Sequence, residues 1–336
     1  MARELELEVA NFVCCFGDDK VMSDMLDPVV IPAFFADETR STHGTEYFFT
    51  HQDLSYLKAS EIESLALSCR FIKNTTLKRY QVYSPTKGII QDEKSLDSAP
   101  SAVAILLLHS HRLLYVKEVP GAPTIQQFGS TFKYLMRNVV MAYRDAVYRE
   151  RLESNEKVTR KKIAYDIPIP TVDVVPIPAS ESLKDFIARF EILSSVKVEL
   201  APTNNEVDLE DFFKQLRGTK KEVGSAKTRL VHSNPSGLDK NGVYEHVDAA
   251  KQGNAYVTMS GKDENGDDLN GNNNDFSVRV TIGEAGMDYP TILTKSYSQF
   301  KSLVKKGVVT LGKSSNDLAK RLRASLKRHS NGDTNE

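Results

Sequence analysis

The clearest signal in the hydrophobic pattern lies over residues 101–153. The run SAVAILLLHSHRLLYVKEV at 101–119 is two apolar segments separated by His109, Ser110, His111 and Arg112, which is the pattern of a β-hairpin. Its first strand, over 103–108, is apolar at every position, so neither face is left for water. Pro120, Gly121 and Pro123 stop the second strand and turn the chain. Beyond them Ile125, Phe128, Phe132, Leu135, Met136, Val139, Tyr143, Ala146 and Val147 recur at intervals of three and four. That spacing predicts a helix over 125–153 with one stripe laid on the hairpin, while Lys133, Arg137, Arg144, Arg149 and Arg151 fall off the stripe.

Loose alternation predicts a first strand over 5–16. Residues 17–38 are acidic and broken by Pro28 and Pro32, the pattern of a surface loop. Extended segments are expected over 47–51 and 80–83, a helix over 53–70 and a polar linker over 84–98. Past the long helix comes the basic run KVTRKK at 157–162. The stretch IPIPTVDVVPIP at 167–178 then carries prolines at a density that suits an edge or a linker. The boundary between an N-terminal α+β domain (1–165) and a C-terminal α+β domain (166–336) is placed there. In the second part, Ser182 with Asp185 three residues on resembles a capping box for a helix ending near 190. A strand over 196–200 and a helix over 208–217 follow. Strands over 255–260 and 276–282 flank 261–275, a Gly, Asn and Asp turn. Leu318, Leu322 and Leu326 mark a last helix over 315–328. The fold class is therefore α+β: a central mixed or antiparallel sheet with a long packed helix, then a second α+β domain with basic helices.

A chain of 336 residues can bury a sizeable core. Its net charge of −1 conceals an asymmetry. Residues 1–124 hold 12 Lys/Arg against 17 Asp/Glu, net −5, and the remainder 32 against 28, net +4. The later part can therefore attract a polyanion. Three cysteines, two of them adjacent at Cys14 and Cys15, and no CxxC pair fit a reducing cytoplasm better than a disulfide framework or a zinc site. The acidic start (Glu4, Glu6, Glu8) is opposite to that of a signal peptide, and no apolar run nears the roughly 20 residues of a membrane span. A soluble, cytoplasmic protein is expected, with any membrane role carried by a partner.

Few motifs point to chemistry. GVVTLGKS at 307–314 matches the phosphate-loop pattern, but β-branched and bulky residues fill its interior and a helix rather than a strand precedes it, so no nucleotide is expected. His109 and His111 can share a metal if they lie on a strand; without further ligands they read as a polar turn. GKDENGD at 261–267 has the composition of a calcium loop without its ligand spacing, so it reads as a hairpin tip. Cys14 and Cys15 have no basic neighbour to activate a thiolate and read as structural. Glu199 lacks the following lysine of a nuclease motif, and no GxSxG occurs. No catalytic residue, metal or cofactor is assigned.

Basic clusters remain. One runs from Arg137, Arg144, Arg149 and Arg151 into 157–162, a second comprises Lys214, Arg217, Lys220, Lys221, Lys227 and Arg229, and the third is the last helix. Any one of them can be a solvated helix face; three in the net-positive part of the chain favour phosphate binding without sequence readout. The chain also resembles the RexA-like phage-exclusion proteins of lambdoid phages and their defence relatives, among them the KwaB subunit of Kiwa. The likeness rests on SAPSAVAILLL at 98–108 with LLYVK at 113–117 and PGAPT at 120–124, on LKDF at 183–186, VKVEL at 196–200 and the basic segment 212–227, and on GKDENGD at 261–267. It extends over about 50–328; residues 1–40 depart from RexA, which is shorter there. The resemblance implies a cytoplasmic homodimer or higher homo-oligomer that binds double-stranded DNA, senses phage replication and works with a separate membrane protein. The expectation is a non-catalytic antiviral sensor contacting DNA phosphates through Arg144, Lys161, Lys162, Lys220, Lys221, Lys227, Arg229, Arg321 and Arg323. The alternatives are a protein-interaction or inhibitor module without DNA binding, and a divergent metal-dependent nuclease using His109 and His111.

Overall fold

A computed structural model describes residues 3–17, 20–203, 211–248, 255–312 and 316–330. The chain opens in β1 (Glu4–Phe16), followed by the two-residue β2 (Lys20–Val21) and tight helical turns over Met22–Met25 and Leu26–Val30 that lead into α1 (Ile31–Phe34). Next come β3 (Arg40–Thr42), β4 (Thr45–Tyr56), β5 (Leu65–Ser84), β6 (Gly88–Ser98), β7 (Ser101–Leu107) and β8 (Arg112–Lys117). Then α2 (Ile125–Glu153), α3 (Arg160–Asp166) and β9 (Pro170–Pro176) follow. A second unit holds α4 (Ser180–Ala188), β10 (Ile192–Leu200), α5 (Asp211–Glu222), β11 (Arg229–Ser233), α6 (Lys240–Asp248), β12 (Ala255–Lys262) and β13 (Asp268–Asn272). The chain returns through β14 (Arg279–Glu284), α7 (Tyr289–Lys305) and α8 (Asn316–Ser330).

The protein is α+β. Its larger sheet is antiparallel and ordered β14-β1-β8-β7-β5-β4-β3; β9 and β14 lie end to end along one edge of β1. The uniform apolarity of β7 has a simple cause. Ala102, Ala104 and Leu106 enter a core under α1, α2 and α8, while Val103, Ile105 and Leu107 enter a second core under α7. A strand between two helical layers has no wet face. The long helix α2 starts where Thr124 caps it, accepting from Gln127 N at 3.2 Å while Gln127 Oε1 accepts from Thr124 N at 2.7 Å. Phe128 and Phe132 then pack edge-on or tilted against Phe12, Phe34, Phe49 and Phe71. The smaller sheet, ordered β11-β10-β12-β13, packs Leu193, Val196, Val198, Val257 and Met259 against α4, α5 and α6.

Several expectations change. In the expected surface loop 17–38, of which 18–19 lie outside the described residues, 22–34 instead form buried helical turns: Met22, Met25, Leu26, Val29, Val30, Ile31 and Phe34 are buried, and Pro32 sits in the first turn of α1, where its missing N–H costs nothing. Residues 53–70 are not a helix but the end of β4, a turn closed by Ser64, whose hydroxyl donates to the carbonyls of Lys58 and Glu61 at 2.8 Å, and the start of β5. Residues 84–98 are not a linker: Ser84 ends β5, 85–87 turn the chain, and Gly88–Ser98 form β6, paired with β5. The α4 cap position is Ala179, not Ser182, and 261–275 contains β13. The larger sheet also draws strands from both sides of residue 166, since β9 and β14 complete β1. The prolines of 167–178 are tolerated there because β9 runs along the rim of the sheet rather than between two strands. Arg112, fully buried, donates to Asn11 Oδ1 at 2.8 Å and to the carbonyls of Ser110 and Thr310 at 3.2 Å, fastening the hairpin to the segment ahead of α8.

Candidate nucleic-acid interface

Two of the three basic clusters lie in one layer. Ile163 of α3 and Leu318, Leu322 and Leu326 of α8 pack on the same core as α2, so all three helices cover one face of the larger sheet. Thr159 caps α3 by accepting from Lys162 N at 3.2 Å, and Lys161 and Lys162 project from its exposed side. Arg160 instead donates to Asp145 at 2.5 Å and stacks over Tyr148. On α8, Arg323 is exposed, whereas Arg321 pairs with Asp24 at 2.7 Å and Asp317 at 2.8 Å, and Arg328 with Asp27 at 2.7 Å. The acidic turns near the start of the chain and its basic last helix therefore partly neutralise each other.

Arg144 lies apart from these. Its guanidinium donates to the carbonyls of Ile167 at 2.6 Å and Ala164 at 3.1 Å, binding α2 to the exit of α3, and burial lowers its pKa. Those two bonds make Arg144 a tether between helices. The third cluster belongs to the second unit. Phe213 anchors α5 in the smaller core, leaving Lys221 exposed and Lys220 half-buried at the end of the helix. Lys227 and Arg229 both face Glu199, at 3.6 and 2.6 Å. Burial alone would raise the Glu199 carboxyl, but the Arg229 hydrogen bond and the nearby charges of Arg229, Lys227 and Lys197 hold it below its ordinary value. Of the nine expected contacts, Arg144, Lys161, Lys162, Lys220, Lys221 and Arg323 have no carboxylate partner among the described residues, Arg144 donating to backbone carbonyls instead.

One surface escaped the sequence reading. The alternation of Ser195, Lys197 and Glu199 with Val196, Val198 and Leu200 turns one face of β10 to the core and the other outward. Register places Arg229 and Val231, Tyr256 and Thr258, and Asn272 on that outer face. It borders a cleft of about 410 Å³ lined by Gln126, Ser130, Asp173, Tyr256, Thr258 and Asn272, in which the Tyr256 hydroxyl donates to Asp173 at 2.8 Å. The period-two pattern carried this signal; its grouping with β9 and α2 did not show.

The other motifs resolve locally. His109 and His111 lie in the turn between β7 and β8, with His111 buried at φ 53°, so the shared strand orientation needed for joint ligation is missing. Burial is the main cause of the lowered His109 pKa. Among the described residues no group of three or more His, Cys, Asp or Glu could hold a metal. In the GVVTLGKS stretch, α7 ends ahead of Gly307, which takes φ 72°, and Val309 is buried in the second core; Lys313 and Ser314 lie outside the described residues. The 261–267 segment is a hairpin tip in which Asp263 accepts from the backbone of Asn265 and Asp267. Burial raises the thiol pKa of Cys14, Cys15 and Cys69. No protein-family model matches the chain, and no curated protein matches it either.

Proposed function

We propose that this chain is a non-catalytic, largely sequence-independent binder of double-stranded DNA, working as the cytoplasmic sensor of a RexA-like phage-exclusion system beside a separate membrane effector. The observation that carries the DNA part is the set of exposed cations without described carboxylate partners on α3 and α8, two helices of one layer, with exposed Lys221 and half-buried Lys220 at the end of α5. Such cations bind phosphate by releasing counterions and read no bases. The defence role and the homo-oligomer rest on the resemblance in the sequence.

Fluorescence anisotropy with unrelated duplexes of equal length, across a salt series, tests the reading. We expect equal affinities and a linear log–log fall with salt. The double variants K161A/K162A and K220A/K221A should each flatten the slope by about 1–2 without creating a sequence preference. Absence of binding at low salt would sink this reading and leave an interaction module. Cleavage that needs a divalent metal and is lost in H109A/H111A would instead establish the nuclease.

A further inference from the structure

β5 is far longer than the sheet it serves. Its first half pairs with β4 and β7 up to Asn74; from Thr75 to Ser84 its only strand partner among the described residues is β6. At about 3.3 Å per residue the pair forms an arm reaching roughly 30 Å from the body. It carries Leu77 (55% exposed), Tyr80 (60%), Tyr83 (76%), Ile89 (71%) and Leu96 (67%). An isolated two-stranded ribbon is marginal in water, and this one holds its apolar residues outward.

The distribution of those residues selects the partner. Just behind the turn at 84–88, exposed Tyr83 opposes exposed Ile89 on one face, and half-buried Val82 opposes half-buried Ile90 on the other, so a band apolar on both faces sits beneath a polar turn. Residues 80–91 contain no acid, and Lys87 in the turn is their only formal charge. A protein docking on one face would leave the other pair wet. A second copy packing face to face on Leu77, Leu96, Tyr83 and Ile89 would also bury Lys94 and the ion pair that Arg79, opposite it, makes with Asp92. A lipid surface meets neither difficulty: it surrounds the tip, takes tyrosine rings at headgroup level and lets a lysine reach phosphate. The open backbone edges of a ribbon keep it at the boundary of the hydrocarbon, not in it.

We propose that the β5–β6 arm is a membrane-docking hairpin that inserts Val82, Tyr83, Ile89 and Ile90 shallowly into the interface of a bilayer. This does not depend on DNA binding, and it revises the expectation that a partner alone meets the membrane. The chain has no tryptophan, so the variants Y83W and I89W each carry a single reporter. With vesicles of phosphatidylcholine and phosphatidylserine, both should shift to the blue and be quenched by lipids brominated near the headgroup. The control Y134W, on α2, should not. The variant Y83D/I89D should co-sediment with vesicles at least about tenfold more weakly while keeping its thermal melt and duplex affinity. The proposal is overturned by unshifted emission with vesicles. It is equally overturned by a blue shift that grows with protein concentration in their absence, which would assign the arm to a second copy. Either result leaves the duplex measurement untouched.

Discussion

Glu199 stands between Lys227 and Arg229 and so decides whether two of the expected phosphate contacts are available. Because its carboxyl is held below its ordinary value, its contribution to stability is fully present above the unfolded carboxylate range, about pH 4.3. That contribution fades as pH falls through the lower folded value. Replacement by glutamine at neutral pH should release both cations. Duplex affinity should rise and the salt slope steepen by about 1–2, with a loss in urea stability below about 1 kcal/mol because the cations are half exposed. An unchanged slope would remove Lys227 and Arg229 from the interface. Arg144 shows what the sequence could not disclose at this scale. It follows Arg137 on the same helix, and only the fold reveals that the carbonyls of Ala164 and Ile167 come within its reach.

Among the elements, the central hairpin, α2, β1 and α8 were legible because their apolar residues keep one period over many positions. The region between β4 and β5 was not. Its apolar residues include helix-like spacings, and its turn uses neither glycine nor proline: Ser60 adopts φ 62° and Ser64 closes the loop with its hydroxyl. The helical turns over Met22–Val30 were masked by prolines that read as breaks. The packing of α2 on β9 depends on Gly129, where a Cβ would meet Val174 Cγ2 at 2.6 Å. Alanine should favour the helix by about 1 kcal/mol and still destabilise the protein, by a net of about 1–3 kcal/mol in urea unfolding. Adding V174A should recover part of the loss. A stabilised G129A would mean that α2 can lift from the sheet at no cost.

At the level of the whole molecule, the charge asymmetry of the sequence is partly settled internally, where Asp24 and Asp27 pair with Arg321 and Arg328 of α8, and partly left outward on α3 and α5. The α+β class was foreseeable from the apolar periods, but the threading of the chain was not, because strand pairing between distant segments leaves no local trace. Glu4 pairs with Glu284, and Ala10 with Pro176. During synthesis, therefore, β1 leaves the ribosome first and waits with one edge unpaired until β9, and then β14, are translated. A fragment ending at residue 165 would lack both, together with α7 and α8, and is expected to aggregate rather than fold; a sharp, cooperative melt of that fragment would disprove it. The nascent chain thus carries an open, apolar strand edge from the synthesis of β1 until that of β9 and β14, which makes the protein's yield in a cell sensitive to elongation rate and to whichever chaperone reaches β1 first.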